Sequence, residues 1–194
     1  MDYTTEDTKD ELKISGIKTG IDGDLIDNLH PIAGFVGKSK SGKSNLMVNL
    51  LSKGKKNGVR QSYKKVFHDV IVVSPSLKSF KKNIFSDIDD DKKFETLDYN
   101  SLEFIDTFTE MNTDLEKNTL VVLDDVGSSL KEWSNYIALQ TQKYRHRRTT
   151  WFIIVQKYKD LPTSIRANLT ALYLFRPISQ MELESVWQEL LPFN

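Results

Sequence analysis

The stretch Gly37-Lys38-Ser39-Lys40-Ser41-Gly42-Lys43-Ser44 satisfies the phosphate-binding pattern G-x-x-x-x-G-K-S/T, the P-loop, without substitution. A polyphosphate must be wrapped by backbone N–H groups, and a side chain at either glycine would hinder that approach. In such a loop Lys43 reaches the β- and γ-phosphate oxygens and the Ser44 hydroxyl holds Mg²⁺. The helix that follows, through Asn45, aims its positive end at the phosphates. Gly37 to Asn45 is therefore the expected ATP-binding segment, with Lys43 also acting in catalysis.

A second constellation is Leu120-Val121-Val122-Leu123-Asp124-Asp125, an apolar run that delivers two carboxylates at its end. Beside a P-loop, Asp124 is expected to bind Mg²⁺, directly or through water. Asp125 is then placed to polarise the attacking water as general base. Gln156 ends the run Trp151-Phe152-Ile153-Ile154-Val155. Its amide can donate and accept at once, so it can orient the same water or sense the γ-phosphate. Arg145, Arg147 and Arg148 form the densest arginine group of the chain. One of them can reach a neighbouring subunit's γ-phosphate as an arginine finger. Alternatively they bind nucleic-acid phosphates or cap the preceding helix. His30, His68 and His146 are scattered without metal-ligand partners and read as structural.

The elements that must position these residues follow from periodicity. Ile32-Ala33-Gly34-Phe35-Val36 is a buried-strand run, and Asn45 to Leu51 has amphipathic helical spacing. Gly54 and Gly58 mark a helix stop. Val70 to Val73 is the next strand, closed by Ser74-Pro75. Residues 76–100 are highly charged and predict a solvated loop. Asp87, Asp89, Asp91 and Asp98 half match a calcium loop, but Lys92 stands where that loop needs glycine. Leu102, Ile105, Phe108 and Met111 predict a helix over 101–116, and helical sequence returns from about Trp133 to Tyr144. Pro162 opens a short helix to Asn168, and Ala171 to Phe175 is a final strand. Leu183, Val186, Trp187, Leu190 and Leu191 line one face of a last helix.

Apolar strands alternating with helices predict an α/β fold with a mostly parallel central sheet flanked by helices, which together with the glycine loop resembles a three-layer P-loop NTPase of RecA/ASCE type. In such sheets ligands sit at the carboxyl ends of the strands, where Gly37, Asp124, Asp125 and Gln156 all fall. Residues 1–13 read as a polar N-terminal arm and 14–194 as one ATPase domain, entered by a small hairpin or extended segment at 14–30.

The chain has 194 residues, 27 basic and 27 acidic side chains, and no cysteine. The charge balance argues against an indiscriminate nucleic-acid binder, so any cationic contact must be concentrated locally. Disulfides, thiolate zinc sites and cysteine nucleophiles are excluded. Apolar runs of four or five residues are too short to cross a bilayer, and the polar, acidic N-terminus is unlike a signal peptide. The expectation is a soluble intracellular protein without a membrane partner.

Together these motifs resemble the FtsK/HerA superfamily of DNA-pumping P-loop ATPases, most closely the genome-packaging ATPases of large, poxvirus-like DNA viruses and virophages. The resemblance covers roughly residues 31–178 and rests on the P-loop, Leu120 to Asp125, and Tyr144 to Pro177. Arg145 lies eleven residues before Gln156, the superfamily's separation between an arginine and a strand-ending glutamine. Ile165-Arg166-Ala167-Asn168 and Leu174-Phe175-Arg176 are similar to its basic-x-Asn segment and final strand. The resemblance implies Arg145 as trans-acting finger, Gln156 as sensor and Asp125 as catalytic acid, where many relatives carry Glu. It also implies a homo-oligomeric ring of about five or six subunits around double-stranded DNA. Capsid or portal proteins are further implied partners. A viral packaging protein would act in the host-cell cytoplasm at assembly sites and in association with the virion. Lys131 and Trp133, or Lys78 to Lys82, are candidates for facing the DNA.

Two other readings share the P-loop. A nucleotide or small-molecule kinase would need an arginine-rich lid, whereas the arginines here cluster before one strand. The other is an ATP-dependent assembly protein without translocation; if it bound ATP only as a structural ligand, it would not need Asp125 and Gln156, which argue for turnover. A GTPase is excluded by the lack of an Asn-Lys-x-Asp motif.

Overall fold

The computed structural model describes residues 30–52, 55–56, 59–60, 63, 66–77, 85, 88–176 and 179–190. The N-terminal arm and nearly all of the expected entry at 14–30 lie outside them, as do Lys78 to Lys82. The chain enters through β1 (Ile32–Val36), turns through the glycine loop and forms α1 (Lys43–Ser52). Past the helix stop, β2 (Lys55–Lys56) and β3 (Val59–Arg60) pair antiparallel as a small separate ribbon. The sheet resumes with β4 (Asp69–Val73) and β5 (Lys93–Phe94), followed by α2 (Tyr99–Asp114) and β6 (Thr119–Asp124). Then come α3 (Gly127–Glu132), α4 (Ser134–Gln142), β7 (Thr149–Val155), α5 (Thr163–Arg166), β8 (Ala171–Leu174) and α6 (Gln180–Leu190).

Six strands join in the order β5-β4-β6-β7-β1-β8, and every pair is parallel. Successive side chains of a strand face opposite ways, and here both faces are apolar. Ile32, Val36, Val121, Leu123, Trp151, Ile153 and Val155 join the core packed by α2, α4 and α5. Ala33, Phe35, Leu120, Val122, Phe152 and Ile154 face the other way, against Met47 and Leu50 of α1. The molecule is thus the three-layer α/β fold that the alternation of elements predicts. No helix among the described residues is long and apolar enough to cross a membrane.

The topology determines the site. The strand β7 is inserted between β1 and β6, so the residue ending it stands between the glycine loop and the acids. Register pairs Val36 with Val155 and Asp124 with Ile154. Gly37, Gln156 and Asp125 therefore leave the sheet within a residue of one another, at the same edge.

Three elements differ from the sequence reading. The charged stretch before α2 is not all loop: Lys93 and Phe94 add an edge strand to β4. Within it, Lys92 bonds Asp69 at 2.6 Å and Asp89 at 3.0 Å, and Asn112 donates to Asp69 at 3.0 Å. Asp98, the last acid of the half-matched calcium loop, is the N-cap of α2, in a capping box with Ser101. The helix expected over 133–144 is present as α4, but it is preceded by a short helix that the sequence reading lacks, α3, which meets it at Trp133. On α6, among the described side chains of the expected apolar face, Val186 is buried, while Leu183 is exposed and Trp187 is 50 % exposed. Leu191 lies outside the described residues.

Candidate nucleotide site

The glycine loop encloses a hollow of about 290 Å³ between Lys40 and Asn45. Two of its residues have left-handed backbone, Lys40 at φ 64° and Gly42 at φ 102°. Gly42 meets that demand without a Cβ penalty. Gly37 is required for space: a Cβ there would lie 2.6 Å from Phe175 Cβ and 2.8 Å from Ser41 Oγ. Phe175, just past β8, thus packs directly beneath the loop. Lys43 is 9 % exposed, and its Nζ donates to the carbonyls of Gly37 and, at 2.8 Å, Lys38. Burial lowers its pKa, and the nearby carboxylates of Asp125 and Asp124 oppose that shift. An arriving phosphate would replace these carbonyls as acceptor.

Asp124, 8 % exposed, accepts a hydrogen bond from Ser74 Oγ at 3.0 Å. Burial pushes its carboxyl above the usual range; the Ser74 bond and the Lys43 charge draw it back, while Asp125 adds to the rise. Ser74 is fully buried and closes β4, the strand next to β6. It is a site residue the sequence reading passed over. The donors fit Mg²⁺: a hydroxyl at Ser44 and a carboxylate at Asp124 are hard oxygens, and Mg²⁺ binds through few carboxylates, substrate phosphates and water. No group of three or more His, Cys, Asp or Glu side chains that could hold a metal occurs among the described residues.

Asp125 has left-handed backbone, φ 56°, which a short polar side chain tolerates better than most. Its N–H continues the ladder to Ile154 O at 3.0 Å while the chain reverses into α3. The carboxylate is directed across the end of β7. There Gln156 Nε2 donates to both of its oxygens, at 3.0 and 2.9 Å. The structure thus brings together Gly37 to Asn45, Asp124, Asp125 and Gln156.

The arginines separate by their partners. Arg147 pairs with Asp106, donates to Gln140 at 2.9 Å and lies 3.6 Å from Glu110, tying the turn before β7 to α2. Arg148 donates to Glu116 O at 2.8 Å. Arg145 is exposed; its Nε donates to the Tyr144 hydroxyl at 2.8 Å, and it has no acidic partner among the described residues. It precedes β7, whose seven residues rise about 23 Å to Gln156. That is several times the reach of an arginine, so Arg145 cannot serve the site of its own chain. Arg166 and Asn168 are structural. Arg166 bonds Glu189 of α6 at 2.8 Å, and Asn168 donates to Ala138 O and Thr141 Oγ1 on α4. Lys131, a candidate for facing DNA, lies 3.5 Å from Asp160, and Trp133 packs against the core.

A family model described as Poxvirus A32 protein matches residues 25–190. No curated protein matches by sequence. Among solved structures, the chain is similar to the genome packaging NTPase B204 from Sulfolobus turreted icosahedral virus 2 in complex with AMPPCP. That likeness has 15 % identity, TM-score 0.53, and coverage of 83 % of this chain and 82 % of that one. EssC (ATPases 2 and 3) from Geobacillus thermodenitrificans gives 12 % identity and TM-score 0.56, covering 84 % of this chain and 35 % of that one. The DNA-packaging ATPase B204 from Sulfolobus turreted icosahedral virus gives 13 % identity and TM-score 0.51, covering 81 % of each. At these identities the likeness is one of fold. The chain spans about a third of the EssC chains and about four fifths of the B204 chains.

Proposed function

The chain belongs to the Poxvirus A32 protein family, and on that premise we propose that it is an ATP-hydrolysing motor that moves double-stranded DNA, packaging a viral genome into a preformed capsid. The observation that carries the reading is the contact of Gln156 with both oxygens of Asp125 at the mouth of the glycine loop. A site that only held ATP would not need a carboxylate and a water-orienting amide joined beside the γ-phosphate position.

The loop N–H groups and the start of α1 wrap the phosphates, and Lys43 moves from the carbonyls of Gly37 and Lys38 to the β- and γ-phosphate oxygens. Ser44 and Asp124 would hold Mg²⁺, which when bound would supply charge neutralisation at the phosphates. Asp125 takes a proton from the water that attacks the γ-phosphorus, and ADP leaves with the bridging oxygen. Gln156, which contacts Asp125 in the resting site, orients that water. Arg145 belongs to the site of the next subunit, in a homo-oligomeric ring that encloses DNA and engages the capsid or portal at assembly sites. Its exposure and its distance from its own glycine loop support that role. A kinase lid finds less support, since Arg147, Arg148 and Arg166 are all engaged in holding the fold.

The direct test is ATP-dependent displacement of a third strand from a DNA duplex. Displacement by the wild type but not by Asp125→Asn, with nucleotide binding retained, is the expected result. Displacement that survives Asp125→Asn would remove the acid from its role. ATP hydrolysis without any displacement would favour an assembly ATPase.

A further inference from the structure

Between the glycine loop, the end of β7 and the start of α6 lies a second pocket of about 320 Å³. Its walls include Lys38, Gln156, Lys157, Lys159, Met181 and Glu182. Three cations thus face one acid, and Glu182 is already engaged by the backbone N–H of Tyr158. Lys92, Lys93, Lys131, Arg147 and Arg166 each have an acidic partner. Lys38, Lys157 and Lys159 are exposed and have none among the described residues. Three unpaired lysines around one hollow, in a chain of zero net charge, concentrate positive potential there.

We propose that this pocket takes a backbone phosphate of double-stranded DNA and that its occupation is transmitted to Asp125 through Gln156. The inference rests on the motor reading above and names the surface on which DNA is felt. The phosphate hollow lies between Lys40 and Asn45, and of the second pocket's walls only Lys38 belongs to the glycine loop. Lys157 follows Gln156 directly, and Gln156 forms part of the pocket wall while holding both oxygens of Asp125. A phosphate drawn between Lys157 and Lys159 shifts that turn, loosens the amide from the carboxylate and frees Asp125 to take the proton of the attacking water. Without DNA the acid stays held, and hydrolysis is slow.

The test is the double variant Lys157→Ala/Lys159→Ala, whose side chains hold no ion pair that the fold needs. Basal hydrolysis without DNA and nucleotide affinity are expected to stay within about twofold of wild type. Stimulation by DNA should be lost. Losing that one phosphate contact should lower the slope of log affinity against log salt by about 0.9. Between about 50 and about 200 mM salt the wild type should therefore lose about three- to fourfold more DNA affinity than the variant. A variant that keeps the wild-type salt slope and stimulation would overturn the pocket and leave the motor reading intact. A wild type that neither binds nor responds to DNA would overturn both. A collapse of basal hydrolysis would mean that the lysines serve the nucleotide, which also overturns the proposal. So would relief of inhibition by added inorganic phosphate with DNA stimulation retained, since the pocket would then be a path for product.

Discussion

Mixing two inactive variants tests whether Arg145 acts in another subunit. Arg145→Ala keeps an intact glycine loop, and Lys43→Ala keeps an intact arginine. An arginine finger contributes about 10³- to 10⁵-fold to turnover, so each variant alone should be nearly silent. The seven residues of β7 separate Arg145 from Gln156 by about 23 Å, and no rotamer of one side chain closes that distance. In an equal, random mixture, half of the subunits offer a working loop and half of their neighbours offer a working arginine. About one junction in four is then complete, and independent junctions recover about a quarter of the wild-type rate. The assay is steady-state phosphate release after the two proteins are mixed at assembling concentration. A mixture no faster than the mean of its separate components would refute the trans assignment. Arg147→Ala, by contrast, should unfold more readily, because it removes the partner of Asp106.

His30 is buried, and burial, with the charge of Arg148 adding to it, lowers its pKa from 6.5 to about 4. The unfolded chain then binds the proton that the folded chain refuses. Stability should be full above about pH 6.5 and fall by about 3 kcal/mol as the pH drops to about 4. Urea midpoints across that range should flatten in His30→Gln, and an equally steep fall in the variant would assign the effect elsewhere. Ser74→Ala removes the hydroxyl that Asp124 accepts from. It should raise the Mg²⁺ concentration needed for half-maximal nucleotide binding by about tenfold, or about 1.4 kcal/mol, measured by titration. An unchanged requirement would make Ser74 a packing residue only. At Asp69, burial raises the carboxyl pKa, and hydrogen bonds from Lys92 and Asn112 more than offset this. Lys92→Met should therefore cost about 2 kcal/mol in urea unfolding. A loss under about 0.5 kcal/mol would class Lys92 with ordinary surface lysines.

Much of the site was legible because its signals are local. The glycine loop is a contiguous motif, and Asp124, Asp125 and Gln156 each end an apolar run long enough to read as a strand. Parallel register then brings those ends together without further information. Ser74 was hidden because its partner lies fifty positions away and a serine after a strand is an ordinary terminator. The arginines are chemically alike and nearly adjacent; Arg147 is distinguished only by Asp106 and Glu110 on α2. Lys93 and Phe94 are too short a strand to show alternation, and they sit among charges that suggest a loop. The poxvirus-like resemblance, carried by the spacing of Arg145 and Gln156, agrees with the family match over residues 25–190. On α6 the apolar spacing was real, but only Val186 of the described face turns inward.

The central claim is that hydrolysis belongs to a DNA-engaging assembly. Steady-state ATP hydrolysis, measured with and without double-stranded DNA across protein concentrations at fixed salt, tests it most directly. The account predicts turnover that rises cooperatively with protein concentration, as shared sites form, and that DNA increases further. Turnover per subunit that is independent of concentration and indifferent to DNA would contradict it.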